Sequence, residues 1–126
     1  MDTLFQKYSA AFDALNASAI TDLYTYPCAT ADGDGAKVFS TREQLCRKFT
    51  DNCESMSDMG YQHSQFTVLD IIDMDETTKT AILGWRVQLQ NSTLEFKSLY
   101  VCHKQNEAWK IFSANVYAGQ FDTSPQ

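Results

Sequence analysis

Two aspartates, Asp32 and Asp34, lie in the stretch YTYPCATADGDG, which covers residues 24–35. A carboxylate held in an apolar pocket is desolvated, so its pKa rises towards a value that suits proton transfer. Asp and Gly are also the residue types that tolerate tight and left-handed turns. The stretch therefore has two interpretations. Either Asp32 is the base of a pocket, or both aspartates belong to a solvated turn.

The two histidines and four cysteines are the other side chains with catalytic or metal-binding chemistry. His63 begins a predicted strand, where a lone histidine is more often exposed or hydrogen-bonded than catalytic, so we keep it as a secondary catalytic candidate. Neither histidine has a ligand-like spacing to the cysteines, and we predict no metal site and no cofactor. The cysteines form no C-x-x-C pair, which favours reduced thiols in a cytoplasmic protein.

The overall charge argues against several classes of partner. The chain has 126 residues and a net charge of −6, without a cluster of Lys and Arg. Nucleic-acid binding needs a basic surface, so we expect no nucleic-acid partner. No stretch approaches the roughly 18 continuous apolar residues of a membrane span, and we expect no membrane partner. The N-terminal residues do not resemble a signal peptide.

The first part of the chain predicts three helices. Residues 3–15 carry apolar groups with the i, i+3/i+4, i+7 spacing of an amphipathic helix. Residues 16–26 predict a shorter helix that ends at Pro27. Residues 41–57 predict a third, which begins at a cap-like Ser40 or Thr41 and has Glu43 where a capping box places an acid.

The remaining segments predict strands at residues 36–40, 61–72, 79–90, 93–104 and 109–119. Helices followed by long antiparallel strands predict an α+β fold, with helices packed on one face of a curved sheet. We expect a single domain over residues 1–121, about the usual size of one domain, and a loose polar tail over residues 122–126.

Aromatic residues make up 13% of the chain, which is rich for its length. Alternation in residues 79–90 places Trp85 on one face with its apolar neighbours and Arg86 on the other. We expect the following residues to form plain core or the wall of a pocket for a small organic molecule: Tyr24, Phe39, Phe49, Trp85, Phe96, Tyr100 and Phe112.

The segments ITDLY, STREQLCRKF, KTAILGW, YVCHK and WKI, together with the amphipathic N-terminal helix, carry a family resemblance. Over nearly its whole length the chain resembles the nuclear transport factor 2-like, or SnoaL-like, superfamily. That resemblance implies a cystatin-like cone, in which the sheet wraps around the first helix and encloses an apolar pocket. It also implies a homodimer through the outer face of the sheet. The superfamily contains isomerases, cyclases, dehydratases and binding proteins, so the fold alone does not give an activity.

Within that superfamily, the spacing of Tyr8, Leu23-Tyr24 and Asp32 is similar to that of ketosteroid isomerases. The resemblance implies that Tyr8 donates a hydrogen bond to an enolate oxygen and that Asp32 moves the proton. The second acid of those isomerases has no counterpart here near residues 98–100. Two functions therefore stay open: proton transfer next to a carbonyl, and non-catalytic ligand binding or protein interaction.

Overall fold

The computed structural model describes the backbone of residues 2–120 and the side chains of residues 3–117. The expected tail at residues 122–126 lies outside the described residues. Three helices are present in the described range, as predicted: α1 (Asp2–Asp13), α2 (Ala17–Thr21) and α3 (Arg42–Asp58). No helix in that range is long and apolar enough to cross a membrane.

Six strands form one curved, unclosed sheet in the order β2-β1-β6-β5-β4-β3. All neighbouring strands are antiparallel except β1 and β6, which run parallel. The α+β fold predicted from the sequence is confirmed. The strands are β1 (Tyr24–Asp32), β2 (Gly35–Phe39), β3 (His63–Asp75), β4 (Thr78–Gln88), β5 (Thr93–Gln105) and β6 (Ala108–Gln120).

The first helix packs its apolar stripe against the concave side of the sheet. Leu4, Phe5, Tyr8 and Ala11 are all buried, as their spacing predicts. The ring of Phe5 lies 5.0 Å from that of Tyr100 on β5, measured between centroids. We call the concave side, which α1 covers, the inner face, and the opposite side the outer face.

A capping box fixes where α3 begins. The Thr41 side chain accepts a hydrogen bond from the Gln44 backbone N–H, and the Gln44 side chain accepts one from the Thr41 backbone N–H. Gln44 therefore takes the position in the box that we assigned to Glu43. The cap matters for function because the start of α3 sets which of its side chains reach the inner face.

The predicted helix through residue 26 is wrong in its second half. α2 ends at Thr21, whose hydroxyl donates to the Ala17 carbonyl, and Tyr24 already begins β1. Pro27 is tolerated within β1 because the pairing with β6 is interrupted between Tyr24 and Ala29. The first aspartate of the DGDG sequence is therefore the last residue of a strand.

Alternation along β4 divides the two faces as predicted. Ala81, Leu83, Trp85 and Val87 are buried on the inner face, whereas Arg86 is exposed on the outer face. Each large apolar side chain buried this way stabilises the fold by about 1.5–3 kcal/mol. The inner face thus holds the core and, at one end, a cavity.

Candidate functional site

A cavity of about 210 Å³ lies between α1, α3 and the inner face of the sheet. It is lined mainly by aromatic and aliphatic side chains, with Asp32 and Lys48 at its polar side. Such a mostly apolar cavity with few polar groups is typical of a small-molecule site. Seven of the site residues predicted from the sequence line it: Tyr8, Tyr24, Asp32, Phe49, Trp85, Phe96 and Tyr100.

Asp32 belongs both to a turn and to the cavity. Its Oδ1 accepts a hydrogen bond from the Asp34 backbone N–H at 2.9 Å, which closes the turn between β1 and β2. Its Oδ2 lies 2.9 Å from Lys48 Nζ. The Asp34 side chain is 60% exposed and is absent from the cavity lining, so Asp34 is only a turn residue. Asp32 therefore belongs to the turn and also lines the cavity, and its role as a base stays a prediction.

Lys48 is a site residue that the sequence analysis missed. Its side chain is only 7% exposed, and Nζ lies 3.5 Å from Asp34 Oδ2 in addition to its contact with Asp32. The signal was available in the helix pattern, because Lys48 follows the buried Leu45 by three residues and so lies on the buried side of α3. Within the cavity lining, Lys48 is therefore paired with one carboxylate, that of Asp32, and its second contact is with the exposed turn residue Asp34.

Four aromatic side chains form two hydrogen-bonded pairs beside the cavity. The hydroxyls of Tyr8 and Tyr24 lie 2.8 Å apart, and Trp85 Nε1–H donates to the Tyr100 hydroxyl at 2.9 Å. Tyr8 and Tyr24 have two hydroxyl hydrogens between them, and the bond that joins them uses one. Tyr100 accepts the bond from Trp85, so that bond does not use the hydroxyl hydrogen of Tyr100. One hydrogen in each pair is left over to donate. The Tyr8 and Tyr100 rings are 5.8 Å apart between centroids, so the two pairs are neighbours beside the cavity.

Burial keeps these phenols protonated. Desolvation by burial is the main cause that raises the pKa of Tyr8 and of Tyr24 well above the usual value, and the nearby Tyr100 adds to it in both cases. Desolvation raises the pKa of Tyr100 to about 12, although hydrogen-bonding neighbours oppose that rise. At neutral pH all three tyrosines are therefore hydrogen-bond donors rather than bases.

Three predicted site residues lie outside the cavity lining. Phe39 is buried in the core next to it. His63 is exposed at the start of β3; its neighbour Ser64 lines the cavity, and successive side chains of a strand point to opposite sides. His63 is therefore not placed with Asp32 and Tyr8.

Phe112 is the third predicted site residue that lies outside the cavity lining, and a β-bulge explains its position. Regular alternation would put Phe112 on the same face as Ala114, which lines the cavity. The register between β5 and β6 shifts by one residue between Val101 and Cys102, so Ile111 is buried instead and Phe112 is exposed. Phe112 packs its ring against His103 on the outer face, with centroids 5.2 Å apart.

Among the described residues, no group of three or more His, Cys, Asp or Glu side chains could hold a metal ion. The four cysteines are free thiols. Burial raises the pKa of Cys28 to about 11, which disfavours the reactive thiolate. The polar chemistry described for the cavity therefore consists of one carboxylate–ammonium pair and several hydroxyl groups.

Solved structures share this fold at low sequence identity. An NTF-2 like protein of unknown function from Shewanella oneidensis MR-1 has a TM-score of 0.76 and 14% identity, covering 91% of this chain and 93% of its own. A domain of unknown function with a cystatin-like fold from Nostoc punctiforme has a TM-score of 0.76 and 14% identity, covering 90% of this chain and 72% of its own. These similarities support the fold alone.

A ketosteroid isomerase-like protein from Erwinia carotovora atroseptica has a TM-score of 0.72 and 12% identity, covering 98% of this chain and 94% of its own. No curated protein sequence matches this chain. A family model described as "NTF2-like protein (DUF6841)" matches residues 1–119, and the chain therefore belongs to this NTF2-like family.

Proposed function

We propose that the cavity binds a small carbonyl compound and that Asp32 moves a proton on the carbon next to the carbonyl. The observation that carries this proposal is that the Asp32 carboxylate and the Tyr8 hydroxyl, matched to an isomerase pattern by their spacing, line the same cavity. A carboxylate base and a phenol donor around one apolar space suit this reaction class.

In the proposed reaction, Asp32 takes a proton from the carbon, and the electron pair of the C–H bond moves into the carbonyl to give an enolate. The remaining hydrogens of Tyr100 and of the Tyr8–Tyr24 pair donate to the enolate oxygen, where charge develops. Asp32 then returns the proton to the same carbon or to another carbon of the enolate system. No oxidant, reductant or further reactant is needed.

Lys48 positions the base in this scheme. Its Nζ binds Oδ2 of Asp32, while the turn N–H binds Oδ1. Each carboxylate oxygen has a second lone pair, so either can still accept a proton. The two contacts fix the carboxylate at the edge of the cavity without using all of its accepting capacity.

The test is proton exchange on a small ketone. Cyclohex-3-en-1-one in D₂O can be followed by NMR for deuterium uptake and for conversion to the conjugated isomer. We expect Asp32→Asn to lower the enzyme-dependent rate by about 10²-fold or more, because it removes the general base, while binding is retained. Asp34→Asn is the matched control and should leave the rate near that of the natural protein. Full activity in Asp32→Asn would refute the proposed role of Asp32.

A second candidate is a binding protein without turnover. The specific observation that favours it is the ion pair between Asp32 and Lys48, which are 2.9 Å apart, because this pairing stabilises the carboxylate as an anion. Under this alternative the natural protein binds ketones but shows no exchange above the background rate. The same NMR experiment, combined with a calorimetric binding measurement, separates the two candidates.

A further inference from the structure

Two buried hydroxyl groups in the cavity lining have no partner. Thr30 on β1 is 4% exposed and Ser98 on β5 is 1% exposed, and both residues line the cavity. Neither hydroxyl oxygen has a hydrogen-bond partner among the described residues. Buried hydroxyl groups in folded proteins are normally paired, so each of these positions calls for a partner that the chain does not supply.

The Ser98 hydroxyl does have a polar neighbour. It lies close enough to the Tyr100 hydroxyl to oppose the rise in the pKa of Tyr100. The two groups nevertheless lack the geometry of a hydrogen bond, so the Ser98 hydroxyl has no partner among the described residues. Its position beside Tyr100 means that a ligand oxygen there could receive hydrogen bonds from both residues.

The sheet register keeps the two hydroxyl groups apart. Thr30 pairs with Ala114 on β6, and Ser98 pairs with Val116 on the same strand. Because β6 lies between β1 and β5, the two backbones are separated by two strand spacings, or roughly 10 Å. One ligand atom therefore cannot bind both. The small Ala114 side chain, which also lines the cavity, leaves room for an apolar skeleton between them.

Size and charge narrow the ligand further. A cavity of about 210 Å³ is larger than the engineered cavity of about 150 Å³ that holds benzene, so it suits a single-ring molecule with small substituents. Thr30 lies two residues before Asp32 on the same face of β1, next to the Asp32–Lys48 ion pair. Lys48 is the only cation in the described lining and is already paired with Asp32, so an anionic ligand would be buried without a free cation to pair with.

We infer that the ligand is a neutral molecule with two oxygen functions at opposite ends of an apolar skeleton. A carbonyl oxygen binds beside Ser98 and Tyr100, and a hydroxyl group binds beside Thr30. The inference rests on the proposed function in that it uses the same cavity and the same carbonyl position. It requires no proton transfer, so it is tested by binding alone.

The experiment compares three probes by isothermal titration calorimetry. 4-Hydroxyacetophenone has both oxygen functions, acetophenone lacks the hydroxyl group, and 4-ethylphenol lacks the carbonyl. We expect 4-hydroxyacetophenone to bind about tenfold more tightly than either analogue, which is the usual effect of one neutral hydrogen bond at its upper range. Thr30→Val should remove the advantage of 4-hydroxyacetophenone over acetophenone. Ser98→Ala should reduce its advantage over 4-ethylphenol without abolishing it, because Tyr100 still donates to the carbonyl oxygen.

Thr25→Val is the matched control on the same strand. The Thr25 hydroxyl is buried but donates to the Pro27 carbonyl, and Thr25 does not line the cavity. This variant should lower the melting temperature and keep the order of the three affinities. Thr30→Val should not lower the melting temperature of the free protein, because the hydroxyl it removes is unpaired.

Equal affinities for the three probes would overturn the inference, as would variants that weaken all three probes equally. 4-Hydroxybenzoate is the anionic counterpart of 4-hydroxyacetophenone. If it binds more tightly, the inference that the ligand is neutral is overturned. If no probe binds, both this inference and the proposed carbonyl site fail. If the natural protein binds the probes in the expected order but catalyses no proton exchange, only the proposed catalytic role of Asp32 is refuted.

Discussion

The inner and outer faces of the sheet are built from the same strands, yet their side chains differ in what covers them. On the inner face Leu83 and Tyr100 are buried under α1 and around the cavity. On the outer face Leu69 is 49% exposed and Phe112 is 40% exposed, although both are large apolar residues. The comparison shows that apolar character alone does not mark the core. What separates the two faces is the helical cover that only the inner face has within the described chain.

The largest difference between the faces should appear in stability. Phe5→Ala removes a fully buried ring that packs on Tyr100 and Phe66, and we expect it to lower the free energy of unfolding by about 3–5 kcal/mol. Leu69→Ala on the outer face should cost less than about 1 kcal/mol. Urea unfolding followed by circular dichroism measures both. Similar losses would mean that the outer face is also covered in solution.

A smaller effect should appear at alkaline pH. Burial raises the folded-state pKa of Tyr100 to about 12, above the unfolded value of about 10. The protonated phenol therefore contributes stability that is fully present below about pH 10 and is lost as pH rises towards 12. Tyr100→Phe should cost about 1–3 kcal/mol at neutral pH, because it leaves Trp85 Nε1–H without its partner.

Between pH 10 and 12, Tyr100→Phe should lose stability less steeply than the natural protein does. Urea unfolding at several pH values gives this slope, and tyrosinate absorbance reports the ionisation directly. An unchanged slope would show that Tyr100 does not couple folding to alkaline pH.

The prediction with the smallest expected effect on the stability of the isolated chain concerns dimer formation. We propose that a second copy of the chain covers the outer face, because the large apolar residues Leu69, Ile72, Phe112 and Tyr117 are exposed there and no helix of the described chain packs on that side. Leu69→Asp should change the stability of the chain by less than about 1 kcal/mol but shift a dimer towards monomer.

Light scattering after size exclusion measures the mass. Met59→Asp is the control, because Met59 is also exposed but lies at the end of α3 rather than on the sheet. A natural protein that is monomeric at all concentrations would refute the proposed dimer.

The features that were predictable from the sequence are those set by local patterns. The alternation of Ala81, Leu83 and Trp85 identified β4 and its buried face, because side chains of a strand alternate strictly where no bulge intervenes. The spacing of Leu45, Phe49 and Cys53 identified α3 and its buried stripe. The pairing of Tyr8 with Asp32 at one cavity came from a family resemblance rather than from a local pattern.

The features that were missed depend on distant parts of the chain. Tyr24 continues the helical spacing of Ile20, and only pairing with Ile111 on β6 makes it the start of a strand. The helix spacing places Lys48 on the buried side of α3, but only the approach of β1 gives it Asp32 as a partner. Phe112 leaves the inner face because the bulge in β6 shifts the pairing with β5, a register that residues 109–119 do not reveal by themselves.

The parallel pairing of β1 with β6 also has a consequence for the newly made protein on the ribosome. Ala29 pairs with Ser113, so β1 cannot join the sheet on that side until β6 has been synthesised. Contacts between residues so distant in sequence slow folding, because a long loop must close first. Until β6 arrives, the apolar stripe of α1 lacks part of the sheet that buries it, and such exposed apolar surface is what chaperones protect in a nascent chain.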